Sequence, residues 1–266
     1  MSWDSVVIAE YKIIFQRLDF IRFLATKEYR ASALGTLLGK LWLLLLPLAQ
    51  VGVYYFLVVV LFQRHEMYGN DPLAFLLIGV FHYAFVSEAL QSAATSILSK
   101  ERLLMQVKIE PVVLVATSFL TSLLNSAIPL ALSAAIYALR GAPTWRLALY
   151  PAALLTLGLL IWALALIVAC LTVFSRDLRH ILAIVLRVLI YLCPVVYPMQ
   201  YIPAPYLAEY LLNPVACVFA LIDFTLFNTA PPPLASLCLL YAQVGGLLFL
   251  SHAVYRWRRP RLTKDF

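Results

Sequence analysis

Six stretches of this chain are apolar almost without interruption, and each is close to or above the roughly 20 helical residues that cross a hydrocarbon core about 30 Å thick. They run over 41–62, 73–98, 112–139, 147–174, 181–197 and 234–255. Helices of this kind have no polar face to turn towards water. Only 12% of the 266 residues are charged and 64% are apolar or aromatic, whereas a soluble domain has about a quarter charged and half apolar. The solvent for this chain is therefore lipid. The same composition argues against disorder and nucleic-acid binding, and four singly scattered cysteines argue against a disulfide-stapled secreted module.

The fifth run is short and ends in Cys193-Pro194-Val195-Val196-Tyr197-Pro198, so a break is expected there. A seventh candidate, 205–227, carries Glu209, Asp223 and the helix-breaking pair Asn213-Pro214. Charge placement decides against it. Lys and Arg number six in the first forty residues, three in 99–110, two at Arg176 and Arg179, and five after Tyr255. The intervening loops hold only Arg64, Arg140 and Arg146, and Arg187 lies within the fifth run. Positively charged loops stay on the cytoplasmic side, so both termini are expected there and the number of spans is even. Residues 205–227 then form short helices dipping back from the outer face, and the net charge of +7 reflects topology.

No cleavable signal peptide is expected, because the first long apolar run begins only near residue 41. Before it, Trp3, Val7, Tyr11, Ile14, Leu18 and Ile21 recur at three- and four-residue steps with charged residues between them. That spacing predicts an amphipathic helix lying in the cytoplasmic interface. The expected fold is an all-α integral membrane protein forming one transmembrane domain. Residues 1–40 are the interfacial helix and the lead into span one, 41–255 the six spans, and 256–266 a basic tail.

No phosphate-binding loop, zinc-protease motif, nucleophile elbow or paired-cysteine motif occurs. No catalytic site, metal site or cofactor is expected in the chain itself. Ionisable groups within the spans are costly and few: His82 and Glu88 in span two, Arg187 in span five. Glu88 and Arg187 are placed either to pair across a helix interface or to meet a substrate. His82 is equally suited to anchoring at the interface.

At the start of span one, Leu38-Gly39-Lys40-Leu41-Trp42 and Pro47 follow Glu28-Tyr29-Arg30-Ala31-Ser32, with a second Leu-Gly pair at Leu34-Gly35. Further on come Phe174-Ser175-Arg176-Asp177-Leu178, Cys193-Pro194-Val195-Val196-Tyr197 and Leu212-Asn213-Pro214. In this order, over nearly the whole chain, they resemble the membrane subunit of polysaccharide-export ATP-binding-cassette transporters, the family that moves O-antigen, capsule or teichoic-acid chains. The chain departs from the family pattern at Glu110, where an aromatic residue often precedes the proline, and near Asp223, where a basic residue often follows Asn-Pro.

The resemblance implies a homodimer in a bacterial inner membrane, with two copies of a separate cytoplasmic ATPase that binds ATP and magnesium. It assigns the loop carrying Lys100, Arg102, Leu103, Leu104 and Val107 as the coupling helix, its apolar strip sized for a groove on a partner. Arg30, Gly39, Trp42, Pro47, Glu88, Arg176, Asp177, Arg187 and Pro194 become candidates for structural or gating roles. Flat aromatic faces suit a passing sugar, and Tyr54, Tyr55, Phe81, Tyr83, Tyr191 and Tyr197 are the candidate path for a lipid-linked glycan. Such rings also gather at membrane interfaces. The competing readings are an exporter of a small hydrophobic compound or lipid, an ion-coupled carrier or channel, and a membrane-embedded transferase.

Overall fold

The computed structural model of the protein describes residues 12–32, 37–68, 71–100, 103, 106, 109–139, 145–227 and 229–262. Among the described residues every regular element is helical. We number the α-helices α1 Leu18–Ala31, α2 Trp42–Tyr55, α3 Pro72–Ser96, α4 Pro111–Leu139, α5 Tyr150–Thr172, α6 Leu178–Leu189, α7 Ala204–Tyr210, α8 Pro214–Phe227 and α9 Leu234–Leu262. Among the described residues five helical stretches are long and apolar enough to span a membrane: Gly39–Leu61, which contains α2, then α3, α4, Trp145–Thr172, which contains α5, and Leu234–Arg259 of α9.

Local chemistry sets the ends of these helices. The Asp71 carboxylate accepts the Ala74 amide at 3.1 Å, and Pro72 fills the first helical position of α3, where no amide is needed. Gly39 has φ 51°, a conformation costly for any residue with a side chain, and it opens the short 3-10 turn Gly39–Leu41 from which α2 rises. The fifth span is shorter than the run 181–197 suggests. Its helix occupies 12 residues and ends in a three-residue 3-10 turn, Ile190–Leu192. Cys193 is then extended (φ −125°, ψ 152°), because the ring of Pro194 disfavours helical geometry in the residue before it.

Three contacts gather one end of the bundle. Lys100 pairs with Glu28 at 2.5 Å, Glu110 pairs with Arg259, and the Arg258 guanidinium lies 4.2 Å from the Phe174 ring centre. We call this the near end. It joins α1, Lys100, Glu110, Phe174 and the last turns of α9. At the far end Phe227 packs on Phe75 with ring centres 5.2 Å apart. The start of α8 lies deeper, where the Asn213 amide donates to the Leu192 carbonyl at 3.2 Å and the Leu212 carbonyl accepts from Gln243, well inside α9, at 2.9 Å. The axes of α7 and α8 bend by 113° at their break, so this pair doubles back as a re-entrant hairpin. The 12-residue α6 runs between the two ends without reaching the length of the five long helices, and α1 and the last turns of α9 both lie at the near end.

At the centre, α3 packs against α2, α4, α5 and α6. Its partner α4 presents Thr117, Ser118, Thr121, Ser122, Asn125 and Ser126 to the interior, all buried. Small residues at three- and four-residue spacing let helix backbones approach closely in lipid, where the hydrophobic effect does not drive association. Gly79 in α3 lets the Pro-rich turn after α6 come equally close. A Cβ there would stand 2.8 Å from the Val195 carbonyl oxygen.

Candidate functional site

A groove of about 1110 Å³ opens between α2, α3 and α6. Trp42, Pro47, Gln50 and Tyr54 line it from α2, Tyr83, Ser87, Glu88, Gln91 and Ser92 from α3, and Arg187 from α6, with Tyr191 on the turn that follows. Within an apolar bundle this wall is mixed, its polar and aromatic side chains alternating with Leu43, Leu46, Ala84, Ala183, Leu186 and Ile190. Tyr54 and Tyr191 meet edge to face with ring centres 6.3 Å apart, and the Gln50 amide donates to the Tyr54 hydroxyl at 3.1 Å. The Tyr83 hydroxyl donates to the Leu186 carbonyl, tying α3 to α6 at the groove's base.

Among the sequence-derived path residues, Tyr54, Tyr83 and Tyr191 share this groove. Tyr55 is half-buried outside it, and Phe81 is 1% exposed in the core. Tyr197 lies at the far end, where its hydroxyl donates to the Tyr191 carbonyl at 2.8 Å and meets the Tyr210 hydroxyl at 3.3 Å. The neighbouring Tyr68 hydroxyl donates to the Val196 carbonyl at 2.5 Å. Burial pushes the Tyr68 phenol up to about 12, so it keeps its proton and this bond throughout the physiological range.

Glu88 and Arg187 form no ion pair, although both line the groove. Asn125 of α4 donates its amide to Glu88 at 2.5 Å. His82 is fully buried and does not sit at an interface. Its Nδ1 lies 2.7 Å from the Ile78 carbonyl and its Nε2 2.9 Å from the Tyr150 hydroxyl, a pattern that assigns the proton to Nδ1. Sequence reasoning missed Asn125 and Gln50. The signal for Asn125 was the stripe Thr117, Thr121, Asn125 at four-residue steps inside an apolar run.

The candidate gating residues are dispersed. Trp42, Pro47, Glu88 and Arg187 face the groove, and Pro194 is buried at the break after α6. Arg30 is exposed in the last turn of α1. Arg176 and Asp177 are exposed before α6, and the Asp177 side chain makes no capping bond. In the candidate coupling segment Lys100 pairs with Glu28 of α1, and Leu103 is half-buried against the bundle core. Arg102, Leu104 and Val107 lie outside the described residues, as do Trp3, Val7, Tyr11 and the pair Leu34-Gly35. Glu110, the departure from the family pattern, accepts from Arg259 and from the Tyr255 hydroxyl at 3.2 Å. The described residues hold no cluster of three or more His, Cys, Asp or Glu side chains suited to a metal ion.

An all-helical multi-pass bundle enclosing a polar groove, with charged segments gathered at one end, defines an integral membrane protein of the transporter kind. Residues 21–227 match the ABC-2 type transporter family model, and the chain belongs to that family. It is thus the membrane-spanning subunit of an ABC transporter, in which ATP hydrolysis belongs to separate subunits. The chain is also 26% identical over 255 residues to the O-antigen export system permease protein RfbA of Myxococcus xanthus, covering 95% of this chain and 97% of that protein.

Proposed function

We propose that this chain is the channel-forming subunit of an exporter that moves a lipid-linked, O-antigen-like polysaccharide out of the cytoplasm across a bacterial inner membrane. It acts as a homodimer with two cytoplasmic ATPase copies, which bind the ATP and magnesium, and both its termini are cytoplasmic. The observation that carries the reading is the groove, because tyrosines, glutamines and serines interspersed with aliphatic side chains within lipid-spanning helices suit an amphipathic, hydroxyl-bearing cargo better than a purely apolar one. The similarity to an O-antigen export permease over almost the whole length of both chains supports the same cargo class.

In this reading Tyr54, Tyr83 and Tyr191 offer weak repeated stacking faces, Tyr55 and Tyr197 flank them, and Phe81, buried in the core, only supports the packing of α3. Weak sites suit a polymer that must keep moving. Lys100, Arg102, Leu103, Leu104 and Val107 carry the ATPase stroke into α3 and α4. Gly39, Trp42 and Pro47 set where α2 enters the membrane, and the Arg30 and Arg176-Asp177 corners and the Pro194 break allow helices to shift against one another. The test replaces Tyr54 and Tyr191 together in cells that carry the chain and its ATPase. The Phe pair keeps the rings and is expected to preserve surface glycan. The Leu pair keeps only apolar volume and is expected to lower it, with lipid-linked glycan accumulating in the inner membrane. Normal surface glycan in the Leu pair overturns the stacking path, and normal surface glycan in cells lacking the chain overturns the function.

A further inference from the structure

Arg187 stands alone among aliphatic residues on α6, between Ile184 and Val185 on one side and Val188 on the other, and all three are exposed. An arginine in the last turn of a helix bounded by aliphatic residues needs a counter-charge or water, because a charge left in hydrocarbon is costly. The carboxylate that shares its groove, Glu88, is held by Asn125 on α4 and makes no ion pair with Arg187. Arg187 opens instead into the groove of about 1110 Å³, beside Tyr191 and across from Gln50 and Gln91.

We propose that Arg187 is the recognition point for an oxyanion, a phosphate or carboxylate group, carried by the molecule that enters this groove. The guanidinium presents two parallel N–H donors, which match the two oxygens of such a group. Gln50 and Gln91 bond to neighbouring hydroxyls, and the Glu88 carboxyl takes hydroxyl donors farther along. The site deepens the exporter reading by giving its cargo a charge class, and it rests on that reading for the cargo's glycan nature. The oxyanion has two possible sources: the phosphate of a lipid carrier or an acidic sugar of the chain.

The test uses the complex of this chain with its ATPase, held in phosphatidylcholine nanodiscs. Binding of fluorescent farnesyl phosphate is compared with that of the matching farnesol, and trigalacturonate with maltotriose. The wild type is expected to favour one anionic probe over its neutral partner by about tenfold, the scale of one charge-assisted hydrogen-bond pair. Preference for farnesyl phosphate identifies the lipid carrier as the source, and preference for trigalacturonate the sugar chain. Arg187→Gln is expected to abolish the preference and Arg187→Lys to keep part of it, with the assembled complex unchanged by native mass spectrometry. An Arg187→Gln complex that retains the full preference overturns the proposal, as does one that splits into single subunits, which would make Arg187 an interface residue. A wild type that exports glycan without favouring either anion overturns the oxyanion site and leaves the exporter standing. Arg187-dependent anion binding in a complex that exports no glycan does the reverse.

Discussion

Replacing Gly79 by alanine places a methyl group where the Val195 backbone already stands. The new carbon would lie 2.8 Å from the Val195 carbonyl oxygen, 3.2 Å from its Cα and 3.3 Å from Cγ1. Ordinary contact begins near 3.4 Å, so α3 and the Pro-rich segment after α6 must part by several tenths of an ångström. Overpacking of this kind costs about 1–3 kcal/mol. A control separates the clash from the general effect of adding a methyl to a helix. At Gly246 in α9 the same Cβ meets nothing within 4 Å, so Gly246→Ala is expected to be neutral or to stabilise by up to about 1 kcal/mol. The backbone term is common to both, and their difference isolates the clash at about 1–3 kcal/mol. Reversible unfolding of the purified chain in mixed micelles, followed by circular dichroism, reads that difference. Because the nearest atom is a backbone oxygen, Val195→Ala is not expected to rescue Gly79→Ala. Equal stability of Gly79→Ala and Gly246→Ala, or full rescue by Val195→Ala, would refute the close approach.

Two further outcomes follow from the ends of the bundle. The Glu110 and Arg259 side chains are 28% and 46% exposed, so a double-mutant cycle with Glu110→Gln and Arg259→Gln in the same unfolding assay is expected to give a coupling of about 0.5–1 kcal/mol. That coupling should shrink in 1 M salt, and additive single-mutant effects would remove the clamp. Cys170, Cys193 and Cys217 are buried and Cys238 is exposed, so topology is read in a cysteine-free background. A single cysteine at Ala230 is expected to react with an impermeant thiol reagent in spheroplasts and one at Thr263 is not, and labelling at Thr263 would overturn the shared side of the two termini.

Much of this architecture was written in the order of residue types along the chain. Lipid leaves a spanning helix no water to satisfy its backbone, so long apolar runs are legible without tertiary information, and five of the six became long helices close to their expected bounds. The break at Cys193 followed from Pro194 alone. The departure at Glu110 was visible as an oddity, but its partners Tyr255 and Arg259 are about 145 residues away and no local pattern points to them.

What the sequence by itself determined was the set of helices, the doubling back at Asn213-Pro214 and the side on which basic residues gather, because these depend on the hydrophobicity, ring geometry and charge of neighbours in the chain. Only the tertiary structure decided which faces meet. A helix that is apolar all round carries no stripe to orient it. Rotation was set instead by close contacts between small residues and by a few long-range hydrogen bonds, such as Gly79 against Val195 and Tyr83 to Leu186. Those rotations brought Tyr54, Tyr83 and Tyr191 into one groove, sent Phe81 into the core, gave Glu88 to Asn125 and left Arg187 facing the opening.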